Sequence, residues 1–468
     1  VDHPQRDLAG LVLTALELCR HGITCHLVPL NLQERELAAL GPDFVVLNYL
    51  RRGNEGPVRA LQPAGVRFGA LDTEGGVWAD CNAYSELLWD DRGLLRQVVR
   101  ACMWGPKMAE HLVERGMLDP LQMAITGCPR FDFYHPAWRS VLAEDDELLE
   151  PQILINTNFS GTNPRFVNRA ENHRQYVEGY KWSRERVDEY FLAEERGIAG
   201  IIQLARDLAR DFPHARVVVR PHPFERIERY SEPLEDLPNV TVDNTPTVQR
   251  EIFRSAVVIQ RSCSTAIEAG LAGVPALSPQ WVSTAALIPI AEAVSDRCRT
   301  YAELQAKVAD ILAGRYEAPA KVRRAFDEVT HDWFHRTDGM AHRRVSDTVL
   351  ASLPPTRSVA VRQCRDQLYG ISGPFASAAD RVGRWTRWLL RLPPDWSFRS
   401  WRSVGAYHWV GGPKAFGVQT VRAIAERIQQ AQRSTGAAVA TVEIASARER
   451  GDYVTRFLGE SITLAPQV

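Results

Sequence analysis

Cysteine is scarce in this chain. There are eight in 468 residues, at positions 19, 25, 81, 102, 128, 263, 298 and 364, and no two have CxxC spacing. That excludes a disulfide scaffold and points to a reducing compartment. Neither sign of charge dominates: 56 basic and 57 acidic residues leave a net charge of −1. No overall field draws the chain to nucleic acid or to a membrane. No apolar run reaches the roughly 18 residues of a spanning helix. The opening VDHPQRDLAG has neither the basic nor the apolar region of a signal peptide, so a cytoplasmic location is expected. Walker A, GxGxxG, HExxH and GxSxG sequences are all missing. A strict DxD is missing too, which argues against a metal-bridged nucleotide-sugar mechanism. The histidines lack ligand spacing, so no metal site is expected.

The remaining composition is that of an ordinary globular protein: 45% hydrophobic and 24% charged, with 31 Gly and 28 Pro. The length suits about three folding units at roughly 150 residues each. Strand-like runs alternate with helical ones. Over the first part, strands are expected at 24–30, 43–48, 66–71 and 123–126, with a helix at 11–20 and helical segments from the Gly-rich turn after residue 71 to residue 113. A polar stretch, 134–151, reads as a linker. The alternation then resumes, with strands at 152–156, 216–220, 240–242, 256–260 and 276–278 and a long helix within 187–212. This is an α/β chain with parallel sheets. The expected architecture is two Rossmann-like domains, 1–140 and 151–350, with a ligand site in the interdomain cleft, followed by a C-terminal helical extension, 351–468. Residues 381–410 of that extension interleave five tryptophans (385, 388, 396, 401, 409) with six arginines (381, 384, 387, 391, 399, 402).

Five stretches can carry chemistry. RPHP (Arg220–Pro223) follows an apolar strand, where Arg220 and His222 can both donate to a phosphate and the imidazole can protonate a leaving group. The plain alternative is a loop histidine held by a carboxylate. In QRSCSTAIEAGLAGVPAL (260–277) a strand ends and a helix begins. Ser262, Ser264 and Thr265 add hydroxyls to a helix start that attracts anions, with Arg261 beside them and Glu268 one turn in, able to receive ribose hydroxyls. The alternative is a capping box. LDTEGG (71–76) offers Asp72 and Glu74 as a general base or nucleophile, or is turn chemistry alone. TGCPRFD (126–132) offers an Arg130–Asp132 pair, and its Cys128 reads as a packed thiol. NTNFSGTN (156–163) offers Asn156, Asn158, Ser160 and backbone donors to a phosphate or sugar, or is a solvated turn.

RPHP, then a hydroxyl-rich turn opening a helix with Glu, then GxP, resembles the second domain of GT-B glycosyltransferases. With LDTEGG, the W-G-P-K stretch from Trp104, TGCPRFD and INTNFSGTN, residues 1–350 resemble bacterial surface carbohydrate biosynthesis proteins. That family is related to transferases of CMP-activated ulosonic acids such as Kdo and sialic acids, and more distantly to CDP-glycerol transferases. The resemblance implies a metal-independent glycosyltransferase that moves an ulosonic acid from a CMP-sugar to a surface glycan, as in capsule or lipopolysaccharide assembly. It implies no cofactor beyond that donor substrate. The family's acidic-acidic-Gly motif matches Thr73-Glu74-Gly75, with Thr73 where an acid is usual and Asp72 as a substitute. Its HP motif matches His222 and Pro223, and its Ser/Thr motif matches Ser264 and Thr265, both implying contact with the CMP phosphate. Arg220 and Arg261 remain candidates for the phosphate or the sugar carboxylate.

Expected partners are the nucleotide-sugar donor and a glycan or lipid-linked glycan acceptor, and no nucleic acid. The Trp/Arg segment 381–410 suits the inner face of a membrane, or packing on the domains. Two other readings stand beside this one. The chain is a transferase using CDP-glycerol or a UDP-sugar, or a catalytically silent GT-B-like protein that binds glycan or scaffolds an assembly.

Overall fold

The computed structural model describes residues 1–143, 150–354, 415–447, 449–450 and 461–467. Thirteen strands run through them: β1 (Cys25–Leu27), β2 (Phe44–Leu47), β3 (Arg67–Leu71), β4 (Val98–Met103), β5 (Met123–Ile125), β6 (Gln152–Asn156), β7 (Arg216–Arg220), β8 (Val240–Val242), β9 (Ser255–Ile259), β10 (Ala276–Pro279), β11 (Asp296–Cys298), β12 (Val442–Ser446) and β13 (Ile462–Pro466). They belong to two compact units. The first gathers 1–76, 80–133 and the described residues from 331 onward. The second gathers 77–79 and the described residues of 134–330.

In the first unit β2, β3, β4 and β5 lie side by side in chain order and all parallel. Strand β4 corrects the sequence reading, which placed helix there. Its VVRACM run carries an arginine in mid-segment and no clean alternation, and only its place in the sheet interior makes it a strand. Helix Ala9–Arg20 buries Val12, Leu13 and Leu16. A second correction concerns the chain's end. Helix Ala341–Leu350 packs Val345 and Val349 against Leu18, Leu71 and Cys102, so it belongs to the first unit and not to a 151–350 domain. The described part of 351–468 holds the helix Val418–Ser434 that a helical extension calls for, and strands besides. Its β13 pairs antiparallel with β1 (Cys25↔Leu464) and with β12 (Ile444↔Leu464), closing a three-stranded sheet in the same unit. The Trp/Arg segment 381–410 lies outside the described residues. No described helix is long and apolar enough to cross a membrane. A cavity of about 750 Å³ opens between residues 24–30 and 43–48 and reaches Asp72 and Thr73.

The second unit holds a six-stranded sheet in the order β11-β10-β9-β6-β7-β8, with every neighbour parallel. Chain order runs outward from β6 to β7 and β8, then returns to β9 on the other side of β6. This is the doubly wound arrangement, and its direction switches between β6 and β9. Ile153, Ile155, Val217, Val219, Val257 and Ile259 are fully buried. Against them pack Ile198, Ile201, Leu204 and Leu208 of helix Arg184–Asp211. Each such side chain contributes roughly 1.5–3 kcal/mol through burial. The helix starts where Ser183 Oγ accepts from Arg186 N. The stretch expected as a linker is folded at its start. Tyr134 lies in this unit, and helix Pro136–Leu142 buries Trp138 and Val141. Pro136 sits at the helix's first turn, where its missing N–H costs nothing.

Candidate functional site

Parallel doubly wound sheets bind ligands outside the carboxyl ends of the strands that flank the switch. Here those strands are β6 and β9, with β7 next to β6. The three candidate loops of this unit therefore leave the same sheet edge from adjacent strands: 156–163 after β6, 220–223 after β7 and 260–265 after β9. Asn156 and Arg220 are register partners. Asn156 is 3% exposed, yet neither its Oδ1 nor its Nδ2 has a hydrogen-bond partner. Arg220 gives one bond, from its guanidinium to the Pro246 carbonyl at 3.0 Å, while its buried Nε gives none. Burial pulls the Arg220 pKa down, against the fields of Glu251 and Glu268. Unused hydrogen-bonding groups in a folded interior are costly.

Helix Thr265–Ala272 starts at this edge. Ser264 makes no capping side-chain bond, so no capping box forms through it. Thr265 Oγ1 is buried beside the Cys263 thiol, a weak partner. Glu268 receives the Tyr134 hydroxyl at 2.6 Å. His222 is half-buried, and Phe224 N donates to its Nδ1 at 3.2 Å. In a neutral ring that leaves the proton on Nε2, the donor form.

Two of the residues expected at the ligand already have a protein partner. Arg261 and Ser262 face Glu292, which is 2% exposed. Arg261 pairs with Glu292 at 2.6 Å, and Ser262 gives it both its amide (2.9 Å) and its hydroxyl (3.0 Å). Burial would raise the Glu292 pKa, but bonds from Gln280, Ser278 and Ser262 and the Arg261 charge bring it below the usual range. Ser262 has φ +54, a conformation that costs a non-glycine residue, and the Glu292 bonds hold it there. These two residues thus shape the turn into the helix.

The loop after β6 is also more committed than expected. Phe159 N goes to Glu225, Thr162 N to Glu194 (2.6 Å) and Asn163 N to the Phe159 carbonyl. Asn158 is exposed and Ser160 half-buried. Burial lifts the Glu194 carboxyl to about 7. Gly197 lets helix Arg184–Asp211 approach this loop, because a Cβ there would stand 2.4 Å from the Phe159 ring and 2.6 Å from the Ser283 carbonyl.

In the first unit the LDTEGG turn separates its two acids. Asp72 is 5% exposed. It receives the Tyr84 hydroxyl (3.0 Å), Glu74 N (2.7 Å) and Arg51 (3.4 Å). Burial lifts its pKa to about 6. Glu74, with its side chain 44% exposed, is ion-paired to Arg51 at 2.8 Å and Arg6 at 3.2 Å. Burial works against its charge, but these arginines outweigh it and its pKa falls. Glu74 is therefore the accessible, ionised carboxylate, and Asp72 the internal one. Gly76 is a packing residue, since a Cβ there would stand 2.3 Å from the Trp104 ring. The expected Arg130–Asp132 pair is replaced by two other arrangements. Arg130 stacks over Trp104 (4.8 Å) and Phe131 (4.5 Å). Asp132 receives His342 Nδ1 at 2.8 Å and the amides of Ala341 and His342. Burial pushes the Cys128 thiol to about 12, that of a packed, unreactive cysteine.

Sequence reasoning missed Glu225, Glu292, Glu194 and Tyr134. Glu225 alone left a trace, an acid three residues after His222 in RPHPFER.

No family model matches the chain, and no curated protein matches it. Among solved structures it is similar to S. aureus MnaA in complex with UDP, at 13% identity over 70% of this chain and 80% of that one, TM-score 0.42. It is similar to the UDP-GlcNAc 2-epimerase from Neisseria meningitidis bound to UDP-GlcNAc, at 15% identity over 69% and 80%, TM-score 0.42. It is also similar to the wall teichoic acid polymerase TagF, at 9% identity over 62% and 69%, TM-score 0.40.

Proposed function

We propose that the second unit binds the nucleotide of an activated sugar at the β6–β9 switch, and that the chain is a GT-B glycosyltransferase of surface carbohydrate assembly. One observation carries this reading. The buried amide of Asn156 and the Nε of Arg220, both without protein partners, sit on register-paired residues at the sheet edge where helix Thr265–Ala272 begins. Arg220 suits a phosphate, and the Asn156 amide suits a group that both donates and accepts, such as a base edge or a ribose diol. Ser264 and Thr265 add hydroxyl donors at the helix start. His222, protonated on Nε2, donates to the leaving phosphate and stabilises it as the glycosidic bond opens. Glu74 is the carboxylate assigned to the acceptor hydroxyl, and Asp72 holds its turn. The resemblance of the HP and Ser/Thr motifs to those of CMP-ulosonic acid transferases is what supports that donor over CDP-glycerol or a UDP-sugar. The pairing of Glu74 with two arginines, which weakens it as a base, is the observation that favours a silent glycan-binding protein instead.

Calorimetric titration of the full chain with CMP, UMP and CDP tests the site. CMP should bind most tightly, and Arg220→Met should weaken it by about 10-fold or more. If none of the three nucleotides binds, the reading is wrong. With CMP-Kdo or CMP-sialic acid as donor, Glu74→Gln and His222→Gln should each lower turnover by about 100-fold. Turnover intact in both variants removes the assigned roles.

A further inference from the structure

Glu225 is fully buried and lies outside every motif used so far. Its two oxygens have different donors. Oε1 receives three donors: Thr157 Oγ1 at 2.7 Å and Phe159 N at 3.1 Å from the loop after β6, and His222 N at 3.1 Å from the loop after β7. Oε2 receives only the Tyr230 hydroxyl, from the following helix Glu228–Ser231. Around this carboxylate the two loops are also stitched by bonds to backbone carbonyls. Arg165 N donates to the Phe224 carbonyl at 2.8 Å, Asn163 Nδ2 to the Arg226 carbonyl at 3.0 Å, and Arg226 Nε to the Pro164 carbonyl at 2.9 Å.

We propose that Glu225 Oε1 is the positioning group of the nucleotide site, fixing the 157–159 loop and His222 as one rigid rim. The inference rests on the nucleotide reading above and adds a residue to it. A carboxylate oxygen that collects donors from two loops couples their positions, because either loop can move only by leaving a buried donor or the acceptor unpaired. The asymmetry of the two oxygens separates positioning from general support. Tyr230→Phe deletes a bond to the same carboxylate through its other oxygen. Thr157→Val deletes one loop-side donor and leaves the carboxylate in place.

CMP affinity and thermal unfolding are measured for Glu225→Ala, Glu225→Gln, Thr157→Val and Tyr230→Phe in the full chain. Glu225→Ala should bind CMP about 10-fold more weakly, and Thr157→Val about 3-fold more weakly. Glu225→Gln keeps an acceptor at Oε1 and should stay within about 3-fold of wild type. Tyr230→Phe should unfold at lower temperature with affinity unchanged. Equal loss of affinity in Tyr230→Phe and Glu225→Ala would overturn the proposal, as would wild-type affinity in Thr157→Val. Amide exchange provides a readout that needs no nucleotide and no Glu225→Ala protein. In Thr157→Val, protection of Phe159 N and His222 N should fall together. Unchanged protection overturns the coupling even if CMP binds. A joint fall in a protein that binds no CMP leaves the coupling standing and refutes the nucleotide reading instead.

Discussion

The acids of the LDTEGG turn and the polar groups that follow β6 and β7 are committed to different degrees. After β3, in the first unit, every acid of the LDTEGG turn has an internal partner: Asp72 has Tyr84 and Arg51, and Glu74 has Arg6 and Arg51. After β6 and β7, in the second unit, Asn156 and the Nε of Arg220 are buried and unmatched. A saturated network holds its own shape. An unsaturated one is stable only because the surrounding core over-determines it, and it keeps binding capacity in reserve. The richest-looking acidic motif in the sequence is thus the more structural of the two edges, apart from Glu74.

Removing the shared cation of the saturated edge is the strongest way to break the comparison. Arg51→Ala leaves Asp72 buried without its cation and should cost about 3 kcal/mol in urea unfolding. A loss below about 0.5 kcal/mol would mean the network is ornamental. The pH dependence of that edge comes next. Asp72 is raised from 3.8 to about 6, so the folded state holds its proton when the unfolded chain has lost it. Stability should fall as pH rises from about 4 to 6. Asp72→Asn should remove that slope, worth about 2 kcal/mol across the window. Glu74 runs the other way: its pKa is lowered, so its contribution is present above the ordinary carboxylate range and fades as the medium is acidified through its folded pKa. Equal slopes in wild type and Asp72→Asn would show that Asp72 is not held protonated. The smallest effect sharpens the unsaturated edge. Asn156→Leu replaces an unmatched buried amide with an apolar group of similar volume, and thermal unfolding should show a change of no more than about 1 kcal/mol, in the stabilising direction. CMP affinity should drop by about 10-fold in the same variant. A variant that is less stable but binds normally would reverse the assignment.

Much of the second unit could be read from its sequence. The runs QILIN, RVVVR and VTV are uniform and β-branched, and they became β6, β7 and β8 with their expected bounds. β4 was hidden because an interior strand with an arginine in it has neither the alternation nor the uniformity that marks a strand. β13 was hidden because one of its pairing partners, β1, lies more than 400 residues away in the chain, and no local pattern encodes such a pairing. At the site, the residues with donor chemistry were legible by type and position. Their commitments were not. Nothing near Arg261 or Ser262 in the chain announces Glu292, and nothing near Asp132 announces His342.

Local sequence alone determined the alternation of strands and helices, and the clustering of phosphate-suited groups just after apolar strands, because propensity and periodicity act over a few residues. The strand order that sets β6 between β7 and β9, and with it which donors are matched and which stay open, was decided only in three dimensions. Hydrogen-bond satisfaction is a property of neighbours in space, and in this chain the deciding neighbours, Glu225 and Glu292, reach across loops that the sequence lists far apart.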